Sequence, residues 1–287
     1  MHEPEMVMAS TTPLKMEWHR TAYFHGAPGA PAELALFGPA PDGLFAPDRF
    51  VDRPELPFGR YLDRLASELD QRFPDGAIRL IGFSAGARVA LEIAHRLGAR
   101  IGQIDLIAPA APLQSGDFMP RMQGRAVFRL ARHAPGLFPA VTWLQGRLGN
   151  VAPDRLYRMV FAHAVGEDAV LAADPAFQSA ITEVMRRCLG PAARGYAREI
   201  IDFVRPWDAI LARVTSPTRL WQGDLDNWTP PDMAEALRNA LPGAAPVRLQ
   251  NGLSHYSTLR WALNELAEET AQAASGSGSR AGEFAFS

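Results

Sequence analysis

Three side chains have the types and settings that acyl-transfer chemistry needs. Ser84 lies in G82-F-S-A-G86, between the apolar run I78-R-L-I81 and a helical pattern. A serine hydroxyl is a weak nucleophile. It needs a base within hydrogen-bond reach, a group that orients the base, and donors for the oxyanion that develops on the attacked carbonyl. His255 closes N251-G-L-S-H255, past the last strand pattern, and suits the base. Two aspartates, Asp224 and Asp226, follow the strand pattern 217–223 in Q222-G-D-L-D-N-W-T-P230. Either could orient an imidazole or serve a turn or helix cap; the spacing G-x-x-D-x-x-T-P favours Asp226.

The setting of Ser84 gives the motif its meaning. A G-x-S-x-G run placed between a strand and a helix holds the serine on a sharp turn. The flanking glycines let the backbone turn without a Cβ clash, and the helix start offers free N–H groups. One oxyanion donor is therefore expected from the backbone of Ala85. The other is expected from Ala27 in H25-G-A-P-G-A30, where Gly26 and Gly29 allow close approach. His25 reads as structural. Of the remaining histidines, His95 reads as solvated.

These residues need a scaffold that collects strand ends. T21-A-Y-F-H-G reads as a short strand ending in a turn, with another short strand at Leu44–Ala46. Residues 58–73 place Tyr61, Leu62, Leu65, Leu69 and Phe73 at helical spacing, and Pro74-Asp75-Gly76 stops that helix. Then follow a strand at 78–81, a helix at 85–97 ended by Gly98, and a strand at 101–108. This β-α-β-α-β alternation predicts a parallel sheet with helices on both faces. From 113 to about 204 no strand is expected, only helices broken by Pro and Gly. The rhythm resumes with a strand at 217–223, a helix at 230–241, a strand at 245–250 and a helix at 258–271. A core of 14–112 and 205–272, carrying a helical cap at 113–204, is thus expected. Residues 1–13 and the Gly/Ser-containing 273–287 read as flexible tails.

Bulk properties narrow the function classes. A chain of 287 residues suits one large domain with an insertion, and a net charge of −2 argues against general nucleic-acid binding. Cys188 is the lone cysteine, so no internal disulfide is possible; it reads as a packed thiol. No metal-ligand spacing is present, and the first thirteen residues lack the basic and apolar regions of a signal peptide. No apolar stretch has the length of a membrane span. A cytoplasmic protein acting on a small molecule, without metal or cofactor, is expected; the oligomeric state is open.

The pieces H25-G-A-P-G29, A46-P-D-R49, G82-F-S-A-G86, G223-D-L-D-N-W-T-P230 and G252-L-S-H255 resemble the α/β-hydrolase superfamily, and they span about residues 20–270. The order Ser…Asp…His is the one such folds use. The resemblance implies an α/β-hydrolase fold: a mostly parallel, doubly wound sheet with a helical cap insertion, of single-domain bacterial type. It implies Ser84 as nucleophile, Asp226 as acid, His255 as base, and the Ala27 and Ala85 amides as oxyanion hole. R194-G-Y-A-R-E-I-I-D-F-V-R-P-W207 is similar to the end of such a cap. Two departures stand out: few residues precede the first strand, so the usual N-terminal hairpin is shortened or missing, and Thr229-Pro230 replaces the commoner Val-Pro. A serine, not an aspartate, nucleophile argues against epoxide hydrolase and haloalkane dehalogenase chemistry.

The expected reaction is ester hydrolysis through an acyl-enzyme, of carboxylesterase or lactonase type, failing at acid pH as His255 takes up a proton. The same triad could serve C–C bond or amide hydrolysis, or acyl transfer to another acceptor, and the fold also occurs as a non-catalytic binding module. Within the cap, Arg121, Arg125, Arg129 and Arg132 are expected on one face of a helix over 120–133. That face is either simply solvated or attracts an anionic substrate or lipid surface. Phe118, Phe128, Phe138, Trp143, Tyr157 and Phe161 suit either a pocket lining or ordinary core.

Overall fold

Five short strands lie side by side in chain order, every neighbouring pair parallel. They are β1 (Thr21–Phe24), β2 (Ile78–Phe83), β3 (Ile101–Ile107), β4 (Thr218–Gly223) and β5 (Arg248–Gln250) in a computed structural model that describes residues 18–278, with side chains to 272. Parallel strands need crossovers, and helices supply them: α1 (Phe58–Arg72) and α2 (Gly86–Leu97) before β3, and α9 (Pro231–Ala240) between β4 and β5. The last helix, α10 (His255–Gly278), follows β5.

The alternation of side chains along each strand divides the core in two. Ala22, Phe24, Ile78, Leu80, Ile104, Leu106 and Leu220 face one way, onto α1, α2 and α9. Tyr23, Ile81, Phe83, Ile107 and Trp221 face the other way, onto Tyr256, Leu259, Ala262 and Leu266 of α10. The helices on both faces are therefore required by strands that are apolar on both sides.

Six α-helices and no strand occupy the stretch between β3 and β4: α3 (Arg125–His133), α4 (Phe138–Val151), α5 (Pro153–Val160), α6 (Glu167–Ala173), α7 (Pro175–Leu189) and α8 (Ala193–Phe203). They gather a further cluster around Phe138, Leu156, Cys188, Tyr196 and Ile200, which Phe50 of the loop before α1 also enters. Tyr157, Phe161, Phe177 and Ile181 join the α10 side of the main core. Arg49, in the A46-P-D-R49 run, forms a buried two-pronged ion pair with Glu199 of α8, at 2.7 and 3.2 Å.

Several boundaries differ from expectation. Leu44–Ala46 is not a strand: Phe45 alone bridges to Ala22, through Tyr23 N to Phe45 O and Phe45 N to Thr21 O. The strand expected over 245–250 shortens to Arg248–Gln250, an exposed edge strand. Arg121 is not on the helix with Arg125, Arg129 and Arg132; Gly124 precedes α3, and Arg121 ends a separate 3-10 turn where it pairs with Asp232 at 2.5 Å. The terminal helix starts at His255 rather than 258 and runs past 271 to Gly278. Residues 1–17 and 279–287, which hold most of the expected tails and the place of a leading hairpin, lie outside the described residues. Among those described, no helix is long and apolar enough to cross a membrane and no side-chain group suits a metal ion.

Candidate active site

The site begins with a strained residue. Ser84 has φ +55°, a conformation that non-glycine residues avoid at a cost of about 1–2 kcal/mol. Its backbone is held by three hydrogen bonds. Its N–H donates to Ile107 O at 3.0 Å, and its carbonyl accepts from Ala87 N and Ala110 N, each at 3.1 Å. The serine is thus fixed where β2 ends, between the end of β3 and the start of α2.

The two glycines are steric necessities. A Cβ on Gly82 would come 2.7 Å from Ala87 Cα, and one on Gly86 would run into the carbonyl oxygens of Phe24 and His25. Gly86 lets α2 start directly against the end of β1. Gly86→Ala is expected to lower stability by about 1–3 kcal/mol, because the obstacle is backbone that cannot rotate away. Urea unfolding measures it, and a loss under about 0.5 kcal/mol would contradict this packing.

The loop after β1 passes over the serine. A Cβ on Gly26 would lie 3.3 Å from Ser84 Cβ and 3.1 Å from the Phe83 ring. Among the described residues the N–H groups of Ala27 and Ala85 donate to no protein acceptor. His25 is buried, its Nδ1 2.9 Å from Gly26 O, its ring edge-on to Phe50. Burial holds its pKa well below the usual histidine value, so it stays neutral and positions the loop.

Sequence reasoning missed Glu33. Its Oε1 accepts from Tyr23 Oη at 2.6 Å and Gly26 N at 2.7 Å, tying down the amide next to Ala27. Burial raises this carboxyl from 4.5 to about 7, against the lowering pull of its two hydrogen bonds. An acid whose folded pKa exceeds its unfolded one contributes fully below the unfolded value, and that contribution is lost as pH rises to the folded one. The penalty therefore accumulates between about pH 4.5 and 7 and reaches about 3 kcal/mol. A glutamine side chain at this position could accept the same two bonds without ionising, so Glu33→Gln should flatten the fall in stability between pH 5 and 8. Chemical unfolding at the two pH values checks this; parallel curves for the two proteins would refute it.

At the same carboxyl end of the sheet, past β4 and β5, the chain delivers Asp226, and α10 begins on His255. His255 Nδ1 lies 2.9 Å from Asp226 Oδ2, with both side chains buried. Asp226 Oδ1 accepts from Trp228 N at 2.8 Å and Thr229 N at 2.9 Å. Thr229 Oγ1 sits 2.9 Å from both Asp226 Oδ2 and Ala108 O. Thr229, the departure from Val, thus adds a contact to the acid. The imidazole is held between rings, 4.7 Å from Phe83 and stacked on Trp228 at 5.5 Å. Asp224 has a different job: its Oδ1 accepts from Gly252 N at 2.7 Å and braces the loop that carries His255.

A second residue escaped the sequence reading. Asp168 of α6 is buried, accepts from Tyr256 N at 3.0 Å and Ser257 N at 2.7 Å, and takes the Ser257 hydroxyl at 2.6 Å. It caps α10 from the helical insertion, which explains why that helix starts at His255. Burial raises its pKa, opposed by those bonds.

Ser84, Asp226 and His255 are 7 %, 3 % and 2 % exposed, so bulk water has little access. Ser84 Oγ has no hydrogen-bond partner among the described residues. Of the six aromatic residues noted in the insertion, Phe161 packs on Trp228 and Tyr256 beside the imidazole, and Tyr157 stacks on Phe161. Phe118 and Phe128 belong to the main core and Phe138 to the cluster gathered by the insertion, while Trp143 is exposed.

Residues 57–109, which include Ser84 but neither Asp226 nor His255, match a thioesterase domain. No curated protein matches the chain in sequence. Solved structures match it in fold. A thermophilic esterase from Thermogutta terrifontis is 18 % identical with a TM-score of 0.55, over 87 % of this chain and 89 % of that one. The enol-lactonase from Burkholderia xenovorans LB400 is 16 % identical with a TM-score of 0.56, over 86 % and 88 %. A bromoperoxidase from Bacillus anthracis is 14 % identical with a TM-score of 0.58, over 86 % and 91 %. The chain has the α/β-hydrolase fold, and the thioesterase-domain match over 57–109 supports an enzyme that hydrolyses ester-type bonds.

Proposed function

We propose that the protein is a serine hydrolase that cleaves a carboxylic ester or lactone of a small apolar substrate through an acyl-enzyme. Ser84 attacks the carbonyl as His255 Nε2 takes its proton, and Asp226 holds the imidazolium. The amides of Ala27 and Ala85 receive the oxyanion. Protonated His255 then gives its proton to the leaving alcohol. It next activates a water that releases the acid and frees Ser84. A Ser84–His255 hydrogen bond is expected to form when substrate is bound. The reaction needs no cofactor.

The observation that carries this reading is the positive-φ serine at a strand-to-helix turn, beside a buried imidazole already bound to a fully hydrogen-bonded aspartate. The aromatic residues around His255 favour an apolar acyl or alcohol group, and residues 113–204 are read as the lid that selects it. The lone buried Cys188 demands no oxidising compartment, and a cytoplasmic setting belongs to the same reading. A thioester is the second reading for the scissile bond, favoured by the match over 57–109.

Initial rates on p-nitrophenyl esters of short and long acyl chains, a simple lactone, an acyl thioester and an anilide test the proposal. Oxyesters or the lactone should give the highest kcat/KM and the anilide the lowest. A thioester faster by about tenfold would move the assignment to the second reading, and no turnover of any by folded protein would contradict both.

A further inference from the structure

Helix α4 is apolar on two sides, and only one of them is covered. Phe138, Thr142, Gly146 and Gly149 face the interior, with Gly146 against the backbone of Leu189 in α7. On the far side Leu137, just before the helix, and Val141, Leu144 and Val151 recur at spacings of four, three and seven, which places them in one stripe. Leu137, Leu144 and Val151 are 63 %, 62 % and 80 % exposed, and Trp143 at the margin is 62 % exposed. Six of the eleven exposed large hydrophobic side chains among the described residues lie between 137 and 159, so this is a patch and not scatter.

The charge around the stripe is one-sided. Residues 119–160 carry seven arginines and a single acid, Asp154, in a chain whose net charge is −2. Among the described residues only Arg121 of the seven has a carboxylate partner. Arg147 sits on α4 beside the stripe, over the Trp143 ring at 5.8 Å, and Arg155 and Arg158 are exposed on α5, which packs against α4. An apolar helix face with arginines at its margins and a tryptophan at its edge has the chemistry of a helix lying in a lipid–water interface. A second copy of the chain would bring its own arginines against these, and their spread over α3, α4 and α5 suits a diffuse anionic surface better than a single acidic groove.

We infer that the α4–α5 face of the helical insertion docks the protein peripherally on an anionic lipid bilayer, with the Leu137–Val151 stripe entering the headgroup region and the arginines facing lipid phosphates. The docking is electrostatic and interfacial, so it should be reversible and weaken with salt.

The test is flotation of the full chain with vesicles of phosphatidylcholine alone and of phosphatidylcholine mixed with phosphatidylglycerol. Binding to the mixed vesicles is expected to be about tenfold or more the stronger, and to fall at high salt. Leu144→Asp with Val151→Asp, and separately Arg147→Glu with Arg155→Glu and Arg158→Glu, should each weaken it about tenfold or more. Thermal melts of the variants should match wild type, since these side chains are at the surface. Absence of wild-type flotation with anionic vesicles would overturn the inference, as would flotation that survives Leu144→Asp with Val151→Asp. So would a dimer in sedimentation that Leu144→Asp dissociates while vesicles go unbound, or a saturable acidic protein partner that binds in their place.

Discussion

Ser84→Ala should lower kcat/KM on the best ester by about 10⁶-fold and abolish any burst of acyl-enzyme. His255→Ala should cost about as much, and the double variant little more. The two residues act as one unit: an unactivated serine and a base without a nucleophile are equally idle. The fold should survive Ser84→Ala, because the backbone bonds to Ile107, Ala87 and Ala110 do not involve the hydroxyl. Steady-state kinetics on the three variants decide it. If Ser84→Ala keeps more than about a hundredth of the activity, or if the two single losses multiply in the double variant, the nucleophile lies elsewhere.

Asp226→Asn should cost about 10⁴-fold in kcat with little change in melting temperature. The reason is the hydrogen-bond arrangement around the carboxylate. Trp228 N and Thr229 N both donate to Oδ1, so an asparagine must keep its carbonyl oxygen there. Its amide nitrogen then faces His255 Nδ1 in the place of Oδ2. Nδ1 must become the acceptor, which puts the ring proton on Nε2, the nitrogen that should receive the proton of Ser84. Asp224→Asn should be far milder, since Asp224 braces Gly252 and does not reach the imidazole. A larger loss from Asp224→Asn than from Asp226→Asn would reverse the assignment.

What can be read from the sequence follows the range of the interactions. The turn at Ser84 is legible because its causes are local: two glycines, a preceding apolar strand and a following helix within a dozen residues. Asp226 over Asp224 is legible from spacing, because both backbone donors to its carboxylate lie two and three residues on. The parallel sheet is legible from alternation. Glu33, Asp168 and the Arg49–Glu199 pair are not. Asp168 reaches α10 across 88 and 89 residues, and Arg49 reaches Glu199 across 150. No periodicity or motif announces a carboxylate whose partner arrives from another part of the chain, and Glu33, whose partners Tyr23 and Gly26 are only ten and seven residues back, sits in a short 3-10 turn that no spacing rule singles out. The same distance effect moves the start of α10: Ser257 Oγ accepts locally from Ser254 N, but the first N–H groups of the helix, those of Tyr256 and Ser257, are taken by Asp168 from the insertion. The strand expected at 44–46 fails for a related reason, since one residue between loops pairs with β1 and nothing extends the ladder. Arg121 falls off the arginine face because extended backbone at Met122 separates its 3-10 turn from α3, a break that the spacing of the arginines does not announce.

The most direct measurement on the site is intact-mass labelling with a fluorophosphonate, on wild type and Ser84→Ala in parallel. It reads the activated serine itself and needs no knowledge of the substrate. One adduct on wild type, located at residue 84, and none on Ser84→Ala is the expected result. An adduct that persists on Ser84→Ala, or folded wild type that stays unlabelled, would contradict a nucleophile at Ser84 activated by His255 and Asp226.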